Sequence, residues 1–414
     1  MYPCRLLALL TIVLFLSGPA MAQNSFVIDT VTSRSDAAKG LVNVSGVEVV
    51  NTNLSREEVM KLLAADTPQD EIVSIALKMT ADVLKIGGTS IFGETVRVMS
   101  GPFTAAGLDK GRFGKVNLSG FSVVFSDRDA AASGNLTGRS LELKSGNITS
   151  FIKALQSGHF ESASFQIGEI KWDGFDAAFT DTETPADAPG GNQVKLHLRS
   201  LSAATDYVGD MPVSSKGELA GLLFDPAPAS ELGRGLRSFG YERIEVGMSG
   251  AGRYDPTSQR LVLQDYTISS PQAGRLSLAG EVSGMDAGAI SSGDATRRGM
   301  ALLGASVEGL KVGFVNDGLV EKSFAFAAAR QGRSPAALRA EGSAMAGQLL
   351  PLFLAGDPQS LPLAQAVQAF LSDPKNVTLT MKARGAPVPL ARLGSIRDPM
   401  TFLALVNVTL VANQ

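Results

Sequence analysis

Four stretches of the chain share one arrangement of apolar and polar positions: VNVSGVEVV (42–50), VNLSGFSVVF (116–125), IKWDGFDAAF (170–179) and ASVEGLKVGF (305–314). In each, apolar residues alternate with others, as in a strand with one buried face, and the alternation changes phase at a glycine: Gly46, Gly120, Gly174 and Gly309. Val116 and Leu118 point to one face, whereas Phe121, Val123 and Phe125 fall on the opposite face of an unbroken strand. A β-bulge at the glycine, one extra residue on that strand, returns both halves to one side, and glycine accepts the positive φ that one bulge class requires. The expectation is therefore strands of ~10 residues, bent at these glycines and assembled into a coiled sheet. Phe121, Trp172 and Phe175 lie in these motifs and are candidates for a core or for the wall of an apolar groove.

Further alternation predicts a three-strand antiparallel meander over 242–282, with turns at Asp255-Pro256 and over Ser270–Gly274. Residues 192–204 predict another strand, with Lys195, His197 and Arg199 on a wet face. Helical signals punctuate the strands. Ser55 and Glu58 form a capping box for a helix over 56–64, and Thr67-Pro68 opens a second with Ile72, Ile75, Ala76 and Met79 on one stripe. Ile148, Phe151, Ile152 and Leu155 form a short stripe ending near Gly158, and a helix after Asp225-Pro226 closes at Gly240. Beyond the strand at 305–314 come helices over 319–330, after Ser334-Pro335 and around Leu363–Leu371, then strands at 377–383 and 406–412. The fold class expected is α+β and β-rich: coiled antiparallel sheet with short amphipathic helices inserted, concentrated in the C-terminal part.

The acidic, Pro/Gly-rich stretch 181–192 predicts a linker between an N-terminal region (23–180) and a C-terminal region (193–414), with 283–299 a second candidate boundary. The N-terminus has one cation, Arg5, an apolar run from Leu6 to Leu16 and a small-residue site at Ala20-Met21-Ala22, the pattern of a secretory leader (1–22) cleaved after Ala22. Eleven residues rise only ~16 Å as a helix against a hydrocarbon core of ~30 Å, so the run does not predict a membrane span. The one cysteine, Cys4, precedes that run, and the exported, periplasmic chain is expected to have neither a disulfide nor a thiolate. The formal net charge is −3 with no basic block, which argues against nucleic acid as a partner. Charged residues make up 19 %, below the usual ~25 %, and the 44 glycines suit an extended, turn-rich β protein.

Candidate chemistry is sparse. Ser150-Phe151-Ile152-Lys153 matches the S-x-x-K of penicillin-binding proteins, but Lys144-Ser145-Gly146 lies just upstream of the serine rather than near a domain end, and Phe151 and Ile152 fit an apolar helix stripe. His159-Phe160-Glu161 mimics the H-x-E of zinc deaminases without the cysteines that complete their site, and His197 falls on the wet face of a strand. Asp181, Glu183 and Asp187 lack calcium-loop spacing. No catalytic, metal-binding or cofactor-binding residue is assigned. The apolar run Leu349-Leu350-Pro351-Leu352-Phe353-Leu354 offers Leu350 and Phe353 as core, groove or membrane-contact residues, the last at most peripheral.

The stretches 250–282, 317–341 and 377–413 resemble uncharacterised exported proteins of proteobacterial envelopes. The alternating style of RLSLAGEV is similar, more distantly, to AsmA-like β-rich envelope proteins, from which the chain departs in its leader and in lacking an N-terminal anchor. That similarity implies a groove-forming sheet and lipid handling. Three functions are carried forward: a periplasmic, non-enzymatic protein that binds a lipid or other apolar ligand or supports envelope maintenance, a scaffold that binds another envelope protein, and a hydrolase with a cryptic site.

Overall fold

Long strands alternating in one-sided burial dominate the molecule, and every pairing defined between them is antiparallel. A computed structural model describes residues 24–36, 38–127, 132–157, 165–209, 211–290, 295–354 and 357–414. The expected leader with Cys4, and Gly158, His159, Phe160 and Glu161, lie outside the described residues. The described residues divide into two units, those up to Thr205 with 224–230 and those of 206–223 with 231–414.

In the first unit β1 (Asn24–Ser35) and β2 (Gly40–Thr52) form a hairpin. Three interrupted strands follow: β3 (Thr80–Ile86) with β4 (Gly88–Phe92), β5 (Val96–Ser100) with β6 (Phe103–Asp109), and β7 (Arg112–Leu118) with β8 (Phe121–Asp127). They pair in sequence order and lead into β9 (Ala132–Asn147), β10 (Gln166–Thr180) and β11 (Gln193–Val208), an up-and-down meander. Helices α1 (Arg56–Leu63) and α2 (Gln69–Lys78) are inserted after β2, and α3 (Thr149–Ser157) after β9. The capping box at Ser55 is complete: Glu58 N–H donates to Ser55 Oγ and Ser55 N–H to Glu58 Oε2. These helices close one face of the sheet, burying Val47, Val49, Leu54, Val59, Leu62, Val73, Met79, Ala105 and Val116 in one core.

The pairing shows how the glycines act. Buried residues on β2 are Val42 and Val44 before Gly46, then Val47 and Val49 after it. On the facing strand they are Leu84 and Ile86 before Gly87, then Ile91 after it. Ser45 pairs with Gly88 and Glu48 with Lys85, so the register counts through unchanged. Both strands change phase together, at facing positions, and keep their apolar halves on one side. The line of phase changes crosses the sheet through Gly101 and Gly120, Arg139 on β9, Gly174 on β10 and Arg199 on β11. Gly46, Gly120 and Gly174 have φ of +64°, +80° and +64°. The expected one-strand bulge is thus corrected at these three sites: an extra residue on one strand alone shifts the pairing, and here each neighbour carries its own. A second line runs through Asn51, Asp82, Gly107, Gly114 and Ser145, where the Asn51 amide donates to Asp82 Oδ2 at 2.6 Å.

The stretch 181–192 is not a linker. It connects β10 to β11 inside the first unit, where Thr180 pairs with Gln193 and Asp181 N–H donates to Asn192 O at 2.7 Å. The Asp181 carboxylate accepts from Glu183 N–H and from the Thr184 hydroxyl, so acidic, turn-forming residues build an ordered hairpin loop.

In the second unit most of β12 (Met211–Asp225) precedes a sheet of β13 (Ile244–Asp255), β14 (Arg260–Ser270), β15 (Gly274–Ser283), β16 (Ser306–Asn316), β17 (Asn376–Ala383) and β19 (Val406–Ala412), paired in that order, with short β18 (Val388–Pro389) on the end of β16. The meander read at 242–282 is β13 to β15. Here the bulges are one-sided. Asp265 is extra on β14 relative to both neighbours, and Glu308 is extra on β16 relative to β15. Gly309 therefore follows a bulged residue and, unlike the other three motif glycines, is absent from the positive-φ residues. The helices of this unit are α4 (Glu231–Ser238), α5 (Ala287–Ile290), α6 (Ala295–Gly304), α7 (Leu319–Gln331), α8 (Pro335–Phe353), α9 (Ser360–Ser372), α10 (Leu390–Ser395) and α11 (Pro399–Leu405). Eight of the eleven described helices thus belong to the second unit, and α5 and α6 occupy much of the second candidate boundary.

Candidate functional site

The bulges give the second sheet one apolar and one polar face. Tyr254 pairs with Leu261, Leu261 with Val282, and Val282 with Val307. Past the Asp265 and Glu308 bulges the apolar positions change parity and still meet across strands: Met248 with Ile268, Ile268 with Leu276, Leu276 with Phe314, and Phe314 with Val377. Tyr266, Leu278, Val312, Leu379 and Leu410 form a parallel row. Gly250 makes room for it, since a Cβ there would stand 2.6 Å from the Tyr266 ring.

The opposite face carries Arg275, Glu281, Lys311, Lys382 and Asn407. Arg260 Nη2 donates to Glu308 Oε2 at 3.0 Å and to Glu281, tying three strands together on the polar side.

Cover over the apolar face is unequal. Helix α9 packs on β17 and β19, Phe370 meets Phe314 edge-on at 6.2 Å, and Gln359 Oε1 accepts from Val408 N–H at 2.6 Å. At the other end of the rows Met248, Ile268 and Leu276 are 46 %, 46 % and 45 % exposed. Three adjacent strands therefore present large apolar side chains to water, where single exposed residues are the ordinary case. Alternation identified these strands in sequence and the fourth glycine motif placed a bulge at Glu308–Gly309, but the row also depends on the Asp265 bulge, which no motif announced.

The residues singled out from sequence fall elsewhere. Phe121, Trp172 and Phe175 meet in the first unit, with ring centroids 6.3 Å apart for Phe121–Trp172 and 5.4 Å for Trp172–Phe175, beside the closed core. The Trp172 Nε1–H is buried with no hydrogen-bond partner among the described residues. Leu350 is half-buried and Phe353 exposed on α8, so the greasy run is not a core helix.

In α3, Ile152 and Leu155 are buried in the first core, whereas Lys153 is exposed and Ser150 half-buried. Lys144 belongs to a cross-strand charge ladder, 2.7 Å from Glu169, in which Lys115 stands 2.7 Å from Glu142. His197 Nδ1 lies 2.7 Å from Asp176 Oδ1 across β10 and β11. Asp187 is exposed.

No helix among the described residues is long and apolar enough to cross a membrane. No curated protein and no solved structure matches the chain. A family model described as an uncharacterized protein matches residues 267–413, a span running from the second half of β14 through β19.

Proposed function

We propose that the protein is an exported, non-enzymatic envelope protein that holds a lipid or similar apolar ligand against the apolar face of β13 to β15. The observation that carries this reading is the exposed row Met248–Ile268–Leu276, continuous with residues that α9 covers at the other end of the same face. Covering apolar surface contributes about 25 cal/mol per Å², and an acyl chain lying across the strands replaces water along the whole row. The polar face, with its Arg260 network, stays hydrated. The leader read at residues 1–22 supports export to the periplasm, where lipids are the abundant apolar molecules.

The test is native mass spectrometry with lipid extraction on protein purified without detergent. A lipid co-purifying at near-stoichiometric amount, and lost from the Ile268→Glu variant, is the expected result. A clean apo mass for the unmodified chain would overturn the proposal and favour the scaffold reading, with crosslinking as the next step.

A further inference from the structure

α8 and α9 pack against each other, with Ser343 and Gly347 turned inward: Gly347 lies against the Gln368 amide, and the Ser343 hydroxyl donates to Gln368 O at 3.4 Å. The outward stripe of α8 runs through Met345, Leu349, Leu352 and Phe353, at spacings of four, seven and eight residues, so these side chains share one face. Leu352 is 73 % exposed and Phe353 66 %. Leu361, in the first turn of α9 and at the same end of the helix pair, is 58 % exposed.

Asp357 is the one charged residue between Glu341 and Asp373, and its side chain is only 11 % exposed, with Arg384 3.9 Å away. The end of this helix pair is thus apolar, with the half-exposed Arg384 beside the largely buried Asp357, and tipped by the two most exposed side chains of the stripe.

From this arrangement we infer that the α8–α9 end is a docking surface for a lipid bilayer, inserting Leu352 and Phe353 at the boundary between headgroups and acyl chains. Two features select a bilayer over a protein partner. The segment 342–372 that carries these five side chains has one charged residue, the largely buried Asp357, and so lacks the charged rim that surrounds the apolar centre of a protein interface. The five also include no Trp, Tyr or Arg, the residues that anchor most protein interfaces. A bilayer needs neither, since each aliphatic or phenyl group that enters hydrocarbon contributes on its own. With no cationic stripe, attachment is apolar and independent of anionic lipid.

The test is flotation of the chain beginning at Gln23 with phosphatidylcholine vesicles, with and without phosphatidylglycerol, at ~0.1 M and ~1 M salt. Binding to both vesicle types, unchanged by salt and at least tenfold weaker for the double variant Leu352→Glu/Phe353→Glu, is expected. Both side chains are exposed, so the variant should retain its circular dichroism and melting temperature. No flotation, or flotation only with anionic vesicles that salt abolishes and the variant retains, overturns the inference. So does a dimer in solution that the variant converts to monomer, because a second copy would then cover the stripe. The Ile268→Glu variant should float normally, and Leu352→Glu/Phe353→Glu should keep its co-purifying lipid, so docking and ligand binding can fail separately.

Discussion

At the scale of single residues, Gly120 and Gly174 separate backbone strain from crowding. A Cβ on Gly120 meets its nearest neighbours at 3.6 and 3.7 Å, ordinary contact, so Gly120→Ala isolates the effect of a left-handed backbone, about 1–2 kcal/mol. A Cβ on Gly174 would stand 2.0 Å from Arg139 Nε, so Gly174→Ala must also displace that guanidinium. Urea denaturation is expected to rank Gly174→Ala below Gly120→Ala and both below the parent chain. Trp172 offers the opposite case. Its buried, unpartnered N–H is a group whose desolvation costs about 1–3 kcal/mol, so Trp172→Phe, despite a smaller ring, is expected to lose less stability than Phe121→Leu at the same cluster. The phase slip at each glycine was legible in the chain because alternation is a local property. That the neighbour slips in step was not, because Gly46 and Gly87, or Gly120 and Arg139, meet only once strands are paired.

At the scale of elements, α1 and α2 are joined by a charge that also caps. Glu58 accepts from the Lys78 ammonium and from Ser55 N–H, and these hold its carboxyl below the ordinary range, Lys78 foremost. A depressed folded-state pKa means that the contribution is present above the ordinary carboxylate range and is lost as pH falls through that range and below it. Chemical denaturation from neutral pH to about pH 3 should therefore show a decline that is shallower in Glu58→Gln, which removes the titrating group and keeps an acceptor for Ser55 N–H. Ser55→Ala, which removes the other half of the box, is expected to lose about 1 kcal/mol at neutral pH. Ser55-x-x-Glu58 was readable because a capping box is a spacing. The hairpin at 181–192 reads as a linker because composition distinguishes turn formers from core formers, not a loop anchored by Asp181 from a free linker.

At the scale of the whole molecule, the two units bury their apolar faces to different extents. The first closes a core around Val47, Val49, Ala105 and Val116, whereas the second leaves the β13–β15 end of its sheet open. Hydrogen exchange should be slowest at those first-unit strands and faster at β13 and β14, and bound lipid should slow the latter selectively. Alternation looked alike in both units, since a strand's period reports that one face is apolar and not what covers it. The paired phase changes of the first sheet bear on misfolding. Ordinary antiparallel strands that slip by two residues keep every side chain on its proper face, so such errors are weakly opposed. Where Gly46 must meet Gly87, a two-residue slip separates the two reversals and leaves the intervening apolar side chains facing water. The seam is therefore a registration mark that distinguishes the native pairing from its closest kinetic trap, and removing one of its phase changes should lower refolding yield more than it lowers equilibrium stability.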